Sequence, residues 1–450
     1  MAMRRVTAAT ILVALLALAA APASAQRLTI QGDRFAVDGT PRFLTFISYF
    51  DGMEALDVPS DFAFIHEIGI DGVRVWPNPG LIGSDGTLDR DALARLLFIL
   101  DAARAQRMIV DITFTAERVA GLDAARFRDG IAAAARAVAG FDNALIDIQN
   151  ERDVYGPFVR PLAPADVAAT AAAIRQADPK RIVTASNSPG LTPAQAARFT
   201  ADTGLDVTAY HDDRVPNWYE RGRLEPIVSA LRQNGRPAYL QEPTRFPFPS
   251  TDRADYFLQA RANAKLAGAA AWCFHTDFSF DLRHARFRDL LASRPEPEWG
   301  FVNALVLRVN LKTSDGSHYL VAENGGGSTV RADRQNAIDW ATFVLSALNG
   351  GPPLDGDPVS LATSDGEHYL DADEGGGKAL RAETTAVGEW ETFRIASGTG
   401  GALRDGDTIV LQTAEQPGWY VTAEEGGGGA VNVNRRTRGP WESFTIVVAK

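Results

Sequence analysis

The chain has 450 residues, 46% of them hydrophobic and 22% charged, with a formal net charge of −11. The length exceeds one ordinary domain, the composition excludes a disordered or fibrous chain, and the charge argues against nucleic acid as a partner. A single cysteine, Cys273, excludes an intramolecular disulfide and an all-cysteine metal site, and six scattered histidines argue against a histidine-built zinc site.

Residues 1–25 read as a signal peptide. Arg4 and Arg5 form its charged start, Ile11 to Ala21 a short apolar run, and Ala23-Ser24-Ala25 a cleavage site before Gln26. The run is shorter than the roughly 20 apolar residues of a spanning helix. The mature protein is expected to be secreted or periplasmic, with no membrane span, and to meet an oxidising compartment by having almost no cysteine.

Leu28 to Val37, with turns at Gly32-Asp33 and Asp38-Gly39, predicts a small hairpin. Eight short apolar runs follow: Phe43 to Tyr49, Val73 to Trp76, Met108 to Phe114, Ala144 to Asn150, Arg181 to Asn187, Leu205 to His211, Pro237 to Glu242 and Ala269 to His275. Helical patterns separate them, such as Asp89 to Gln106, Ala163 to Ala177 and Arg253 to Ala267. Parallel strands joined by right-handed crossovers follow, and eight over ~250 residues is the count and size of a (β/α)8 TIM barrel. A doubly wound open sheet is the alternative, but no glycine-rich nucleotide fingerprint follows the first strand. No cofactor and no metal are expected.

After about Phe301 the rhythm changes. One pattern recurs three times: His318-Tyr319-Leu320, a glycine run at 325–327, then Trp340 and Phe343; His368-Tyr369-Leu370, 375–377, Trp390 and Phe393; Trp419-Tyr420-Val421, 426–429, Trp441 and Phe444. Three landmarks keeping one offset mark an internal repeat. Strands and turns without caps suggest closure by three-fold pseudosymmetry, a β-trefoil. The glycine runs read as sharp turns and the spaced aromatics as core. The predicted organisation is 1–25 signal, 26–300 barrel and 301–450 trefoil. The trefoil holds most of the negative charge.

In a (β/α)8 barrel, chemistry sits at the C-terminal ends of the strands. Glu151 follows the fourth predicted strand and Glu242 ends the seventh. Glycoside hydrolysis needs two such carboxyl groups flanking the bond, one to protonate the leaving oxygen and one to attack or to activate water. Near them stand Arg74, Asn150, Tyr210, His211 and Trp272. Arg74 could instead be a structural ion-pair partner, Trp272 plain core, and His275 either a pocket wall or a strand cap. Cys273, next to Trp272, is expected to face the helices as a small hydrophobe. Glu117 reads as a solvated loop residue.

Asn150-Glu151 and Glu242, with Arg74, the Tyr210-His211 pair and Trp272, resemble the signature of clan A glycoside hydrolases, most like the family 5 cellulase group, over about Leu28 to Arg294. The resemblance implies Glu151 as acid/base, Glu242 as nucleophile, Asn150 on the sugar 2-hydroxyl and Arg74 positioning the nucleophile. It implies a tyrosine touching the nucleophile, a histidine lining the site and Trp272 as sugar platform. The chain departs from it in two places. Strand three reads Asp111-Ile112-Thr113 without the usual histidine, and strand six reads Tyr210-His211 where His-x-Tyr is usual, which leaves those two roles open. The C-terminal repeats resemble fascin-like β-trefoils, a class that includes actin bundlers; export and acidity make sugar binding the expected role rather than actin. The reading is a secreted, monomeric, retaining β-glycosidase of cellulase or mannanase type acting on β-linked glucan or mannan. A catalytically inactive sugar-binding or cell-surface adhesion protein is the alternative. The trefoil is expected to fold alone and to be dispensable on soluble substrates.

Overall fold

A computed structural model describes residues 26–78, 80–115, 121–154, 160–244, 251–275, 281–414 and 418–449. The predicted signal at 1–25 and Glu117 lie outside the described residues.

The chain opens with an antiparallel meander of β1 (Leu28–Gln31), β2 (Arg34–Val37) and β3 (Thr40–Arg42). Its two turns fall at Gly32-Asp33 and Asp38-Gly39, where Asp38 and Gly39 take φ of 52° and 83°, the left-handed geometry that tight hairpins need. The expected hairpin is thus extended by a third strand.

All eight expected parallel strands form. They are β4 (Leu44–Ser48), β5 (Gly72–Val75), β6 (Ile109–Thr113), β7 (Ala144–Asp147), β8 (Ile182–Thr184), β9 (Thr208–His211), β10 (Ala238–Glu242) and β11 (Ala271–Phe274). A helix follows each: α1 (Val58–Glu67), α2 (Arg90–Ala105), α3 (Ala124–Ala137), α4 (Pro164–Ala177), α5 (Pro193–Asp202), α6 (Arg221–Leu231), α7 (Ala254–Ala267) and α8 (Phe287–Ala292). Asp89 caps α2 as expected, accepting from the backbone N–H of Asp91 and Ala92 at 3.0 and 2.9 Å. Each strand pairs with its sequence neighbour except β8 with β9, and β11 pairs back onto β4. Asp206 bridges the remaining seam: its N–H donates to Val183 O at 2.9 Å, and its carboxylate accepts from Val183 N at 2.9 Å. This strand order with its helices fits a (β/α)8 barrel.

Strand alternation divides the apolar residues into two cores. Val73, Val75, Ile146, Trp272 and Phe274 pack outward against the helices. Phe46, Ile109, Leu145, Tyr239 and Cys273 fill the interior, where Leu28, Phe35 and Val37 of the meander join them. Cys273 therefore faces the barrel interior, contrary to the expectation. The bulky rings of Trp272 and Phe274 take the helix side, Phe274 stacking on Phe301 and meeting Phe257 edge-on while Trp272 packs against Phe301, so the residue between them must point inward.

Phe301, Val302 and Leu305 still belong to the barrel's outer core. From Leu307 onward, among the described residues, twelve strands build a closed, wholly antiparallel sheet system around a second core. The three repeats superimpose in register. Tyr319 pairs with Arg334, Tyr369 with Thr384 and Tyr420 with Arg435, each followed by the same irregularity. Asn324, Glu374 and Glu425 take φ of 63°, 54° and 59° at the entrance to each glycine run. A Cβ on Gly326 would meet Asp365 of the second repeat at 2.2 Å, one on Gly376 would meet Trp419 of the third at 2.3 Å, and one on Gly427 would meet Asp315 of the first at 2.7 Å. Each turn thus seats a side chain of the next repeat, and the third seats the first. The spaced aromatics split: Phe343, Phe393 and Phe444 are core, whereas Trp340, Trp390 and Trp441 are 38, 44 and 36% exposed. Two residues separate each Trp from its Phe, and each Trp lies before the strand that buries the Phe, so the two rings do not share a face.

The two parts touch along the start of β4 and the outer side of α6 and α7. Phe43 N donates to Asn349 O at 2.9 Å, and Arg221 reaches Gly400 O at 3.4 Å. Lys265 of α7 pairs with Asp357 at 2.7 Å and donates to Asn349 Oδ1 and Pro352 O, each at 2.9 Å.

Candidate active site

The C-terminal ends of the barrel strands carry one connected polar cluster. Arg74 on β5 is its centre and has no solvent exposure. Its Nη1 donates to Glu242 Oε1 at 2.7 Å, its Nη2 to Asn150 Oδ1 at 2.5 Å, and its Nε to Thr113 Oγ1 at 3.0 Å. Asp147 and Asp111 lie 3.5 and 3.8 Å from the same guanidinium. A buried cation among three carboxylates is held firmly in its charged form: burial alone would lower its pKa, and Glu242, Asp111 and Asp147 more than reverse this.

Glu242 ends β10, whose pairing with β9 slips between Leu240 and Glu242. Adjacent residues on a regular strand point to opposite faces. The bulge lets Gln241 and Glu242 both enter the barrel mouth, the re-aiming role of such irregularities. Glu242 Oε2 lies 3.5 Å from both His211 Nδ1 and His275 Nε2. Burial by itself raises this carboxyl; His211, His275 and Arg74 together outweigh it and hold the group far below the usual carboxylate range.

Glu151 stands just past β7 with φ of 47°. A non-glycine residue there is strained, and such strain gathers at functional positions. Ser186 Oγ anchors its backbone N–H at 3.0 Å. Its carboxylate reaches His211 Nδ1 at 3.2 Å, and its side chain is 22% exposed where Glu242 is 6% exposed. Oxygens of Glu151 and Glu242 and a ring nitrogen of His211 all lie within 4.8 Å of one another. A cation could bridge such a trio, but the Arg74 guanidinium already supplies positive charge to Glu242 in this pocket.

Of the seven residues singled out in the sequence, the structure brings five together: Glu151, Glu242, Arg74, Asn150 and His211. Two fall elsewhere. Tyr210 faces the helices, its hydroxyl donating to Leu191 O at 3.3 Å; it adjoins inward-pointing His211 on a strand, so it must point out. Trp272 is fully buried beside Phe274 and Phe301 and is not placed to meet a sugar. The aromatic surface at the mouth comes from Trp76, which stacks on Phe50 at 4.9 Å and 9° and lies 4.7 Å above the Arg74 guanidinium. Trp76 was visible in the sequence: it sits two residues after Arg74 and so shares its face. His275 is a site residue rather than a strand cap, bonded to Ser48 Oγ at 2.8 Å. Asp111 and Gln241 complete the cluster from below. Burial pushes the Asp111 carboxyl up to about 6, Arg74 opposing and Asp147 adding to the rise. A charged residue inside the apolar run Met108 to Phe114 was the available signal.

No protein-family model matches the chain, and no curated protein matches it. Solved structures with similar chain paths include a GH5_18 protein from Streptomyces cattleya in complex with GlcNAc, with 19% identity, covering 55% of this chain and 74% of that one at a TM-score of 0.43. They also include a β-mannanase from the blue mussel Mytilus edulis, with 14% identity, covering 61% and 98% at 0.42. A β-1,4-D-mannanase from Cryptopygus antarcticus shows 12% identity, covering 59% and 92% at 0.45.

Proposed function

We propose that the protein is an exported β-glycoside hydrolase of the clan A, family 5 type. It would cleave β-linked glucan or mannan, as polysaccharide or oligosaccharide, by double displacement with retention of configuration. The observation that carries this reading is the pair Glu151 and Glu242, whose oxygens lie within 4.8 Å of one another. One oxygen of each carboxyl approaching this closely suits direct attack by one carboxylate better than the wider separation that an inverting mechanism uses to hold a water between them.

The roles follow from the surroundings. Glu242 is ionised, buried and oriented by Arg74, which suits a nucleophile attacking the anomeric carbon. Glu151 is more exposed and hydrogen-bonded to His211, which suits an acid that protonates the leaving oxygen and then, as base, activates water. Arg74 fixes both Glu242 and Asn150, so the residue offered to the sugar 2-hydroxyl and the nucleophile share one anchor. Trp76, with Phe50 behind it, takes the place of Trp272 as the flat apolar platform for a pyranose. The C-terminal unit is a β-trefoil in this reading and binds carbohydrate, its three exposed tryptophans being the surfaces available for stacking. No cofactor takes part.

Glu242→Ala should abolish turnover, with external azide restoring it and giving product of inverted configuration. Glu151→Ala should keep activity on substrates with good leaving groups, and azide should give product of retained configuration. Proton NMR of the first-formed sugar from the unmodified enzyme is the direct test: an inverted product refutes the double displacement.

A further inference from the structure

Gln241 is fully buried beneath the two glutamates and makes three polar contacts. Its Nε2 lies 2.9 Å from Asp111 Oδ2 and 2.8 Å from Asp147 Oδ2. Its Oε1 lies 3.0 Å from His211 Nε2. An amide has two N–H donors on one side and only an acceptor on the other. Asp147, beside Arg74 and accepting the Gln149 N–H at 3.1 Å, is an acceptor, so the nitrogen must face the aspartates. The carbonyl oxygen then faces His211 and can only accept, which places a proton on His211 Nε2. The other ring nitrogen, Nδ1, meets Glu151 Oε1 at 3.2 Å and Glu242 Oε2 at 3.5 Å. Neutral His211 would therefore present a lone pair to two carboxyl groups. With Glu242 held as the anion by Arg74 and His275, contact between Nδ1 and Glu151 requires one proton between them.

We propose that Gln241 is a positioning residue that, anchored by Asp111 and Asp147, fixes the orientation of His211 so that Glu151 and His211 Nδ1 share the proton of the catalytic acid. The inference rests on the glycosidase reading for its catalytic meaning, but not for its geometry. The charged and titratable groups facing His211 are Glu151, Glu242 and Arg74, with Asp111 and Asp147 behind Gln241 and His275 across Glu242. When Glu151 gives its proton to a leaving oxygen, the imidazole stays neutral with its Nδ1 lone pair free. That nitrogen can then take back the proton released by the water that Glu151 activates.

The test is the tautomer of His211 in the full-length protein, read from imidazole 15N shifts and assigned by the signal lost in His211→Asn. His211 should appear as the Nε2–H tautomer or as imidazolium across the pH range. An Nδ1–H tautomer would overturn the proposal whether or not the protein cleaves glycosides. Gln241→Met should release that constraint. The Nδ1–H form should then be detected, and kcat/KM on poor leaving groups should fall at least tenfold relative to activated aryl glycosides. Equal loss on both substrate types, with an unchanged His211 tautomer, would show a merely structural role and refute it.

Discussion

Arg74 faces Glu242, Asp111 and Asp147 from a position without solvent. Removing one partner from such a group leaves the others uncompensated, which costs roughly 3–5 kcal/mol in buried ion pairs. Arg74→Met should lower the thermal midpoint accordingly, measured by circular dichroism. It should also move the acid limb of activity. Glu242 is depressed in the folded state, so its stabilisation is complete above the ordinary carboxylate range and is lost as pH falls through its lower folded value. The wild-type limb of kcat/KM should lie below that ordinary range, and in Arg74→Met it should rise toward it. A limb that does not move would mean that the two histidines suffice.

At the scale of single elements, turns and irregularities place the chemistry. The β10 bulge points Gln241 and Glu242 the same way, and the left-handed turn at Glu151 swings its carboxylate over His211. Gly376, with φ of 123°, has Trp419 where its Cβ would be. Gly376→Ala should therefore cost the backbone strain of about 1–3 kcal/mol and, in addition, the displacement of Trp419, whereas Gly356→Ala, with open space around it, should cost only the backbone strain. Chemical denaturation of the two variants compares them. The strands, helices and repeats were legible because period 2, period 3.6 and a fixed offset are written in apolar spacing. Glu151, Glu242, Arg74, Asn150 and His211 were legible because polar residues closing apolar strands have few other reasons to be there. Tyr210, Trp272 and Cys273 were misplaced for one reason. Spacing shows that neighbours alternate but not which one faces in, and that parity is set by which rings fit between α7 and the sheet. The bulge broke even the alternation, so Gln241 and Glu242 could not both have been assigned inward.

Across the whole molecule, Lys265 ties the barrel to the C-terminal unit. Burial draws its ammonium down to about 8 despite the pairing with Asp357. A lysine whose folded pKa lies below its unfolded value of 10.5 holds fewer protons folded than unfolded in that window. Stability should therefore rise as pH climbs from 8 toward 10.5 and carry the full burial cost below 8. Lys265→Met, which removes charge but keeps the stem, should flatten that slope, and at pH 7 both it and Asp357→Ala, each leaving one buried charge unpaired, should destabilise by roughly 3–5 kcal/mol. Melting curves at pH 7 and pH 9.5 decide both. Cutting the chain before Leu307 would expose Lys265 and leave the Phe43 N–H without Asn349. The shortened barrel should keep turnover of small glycosides and melt at a lower temperature.

The ring of glycine turns has a consequence for how the C-terminal unit can be rewired. Its first strand, β12 (Leu307–Thr313), and its last, β23 (Phe444–Val448), are antiparallel neighbours, with Val309 opposite Val448. No joint between repeats is therefore special to the chain ends. Sealing those ends with a short linker and opening the backbone at another inter-repeat loop should return the same fold with every seat filled. Such a circular permutant would hand the barrel a different repeat first.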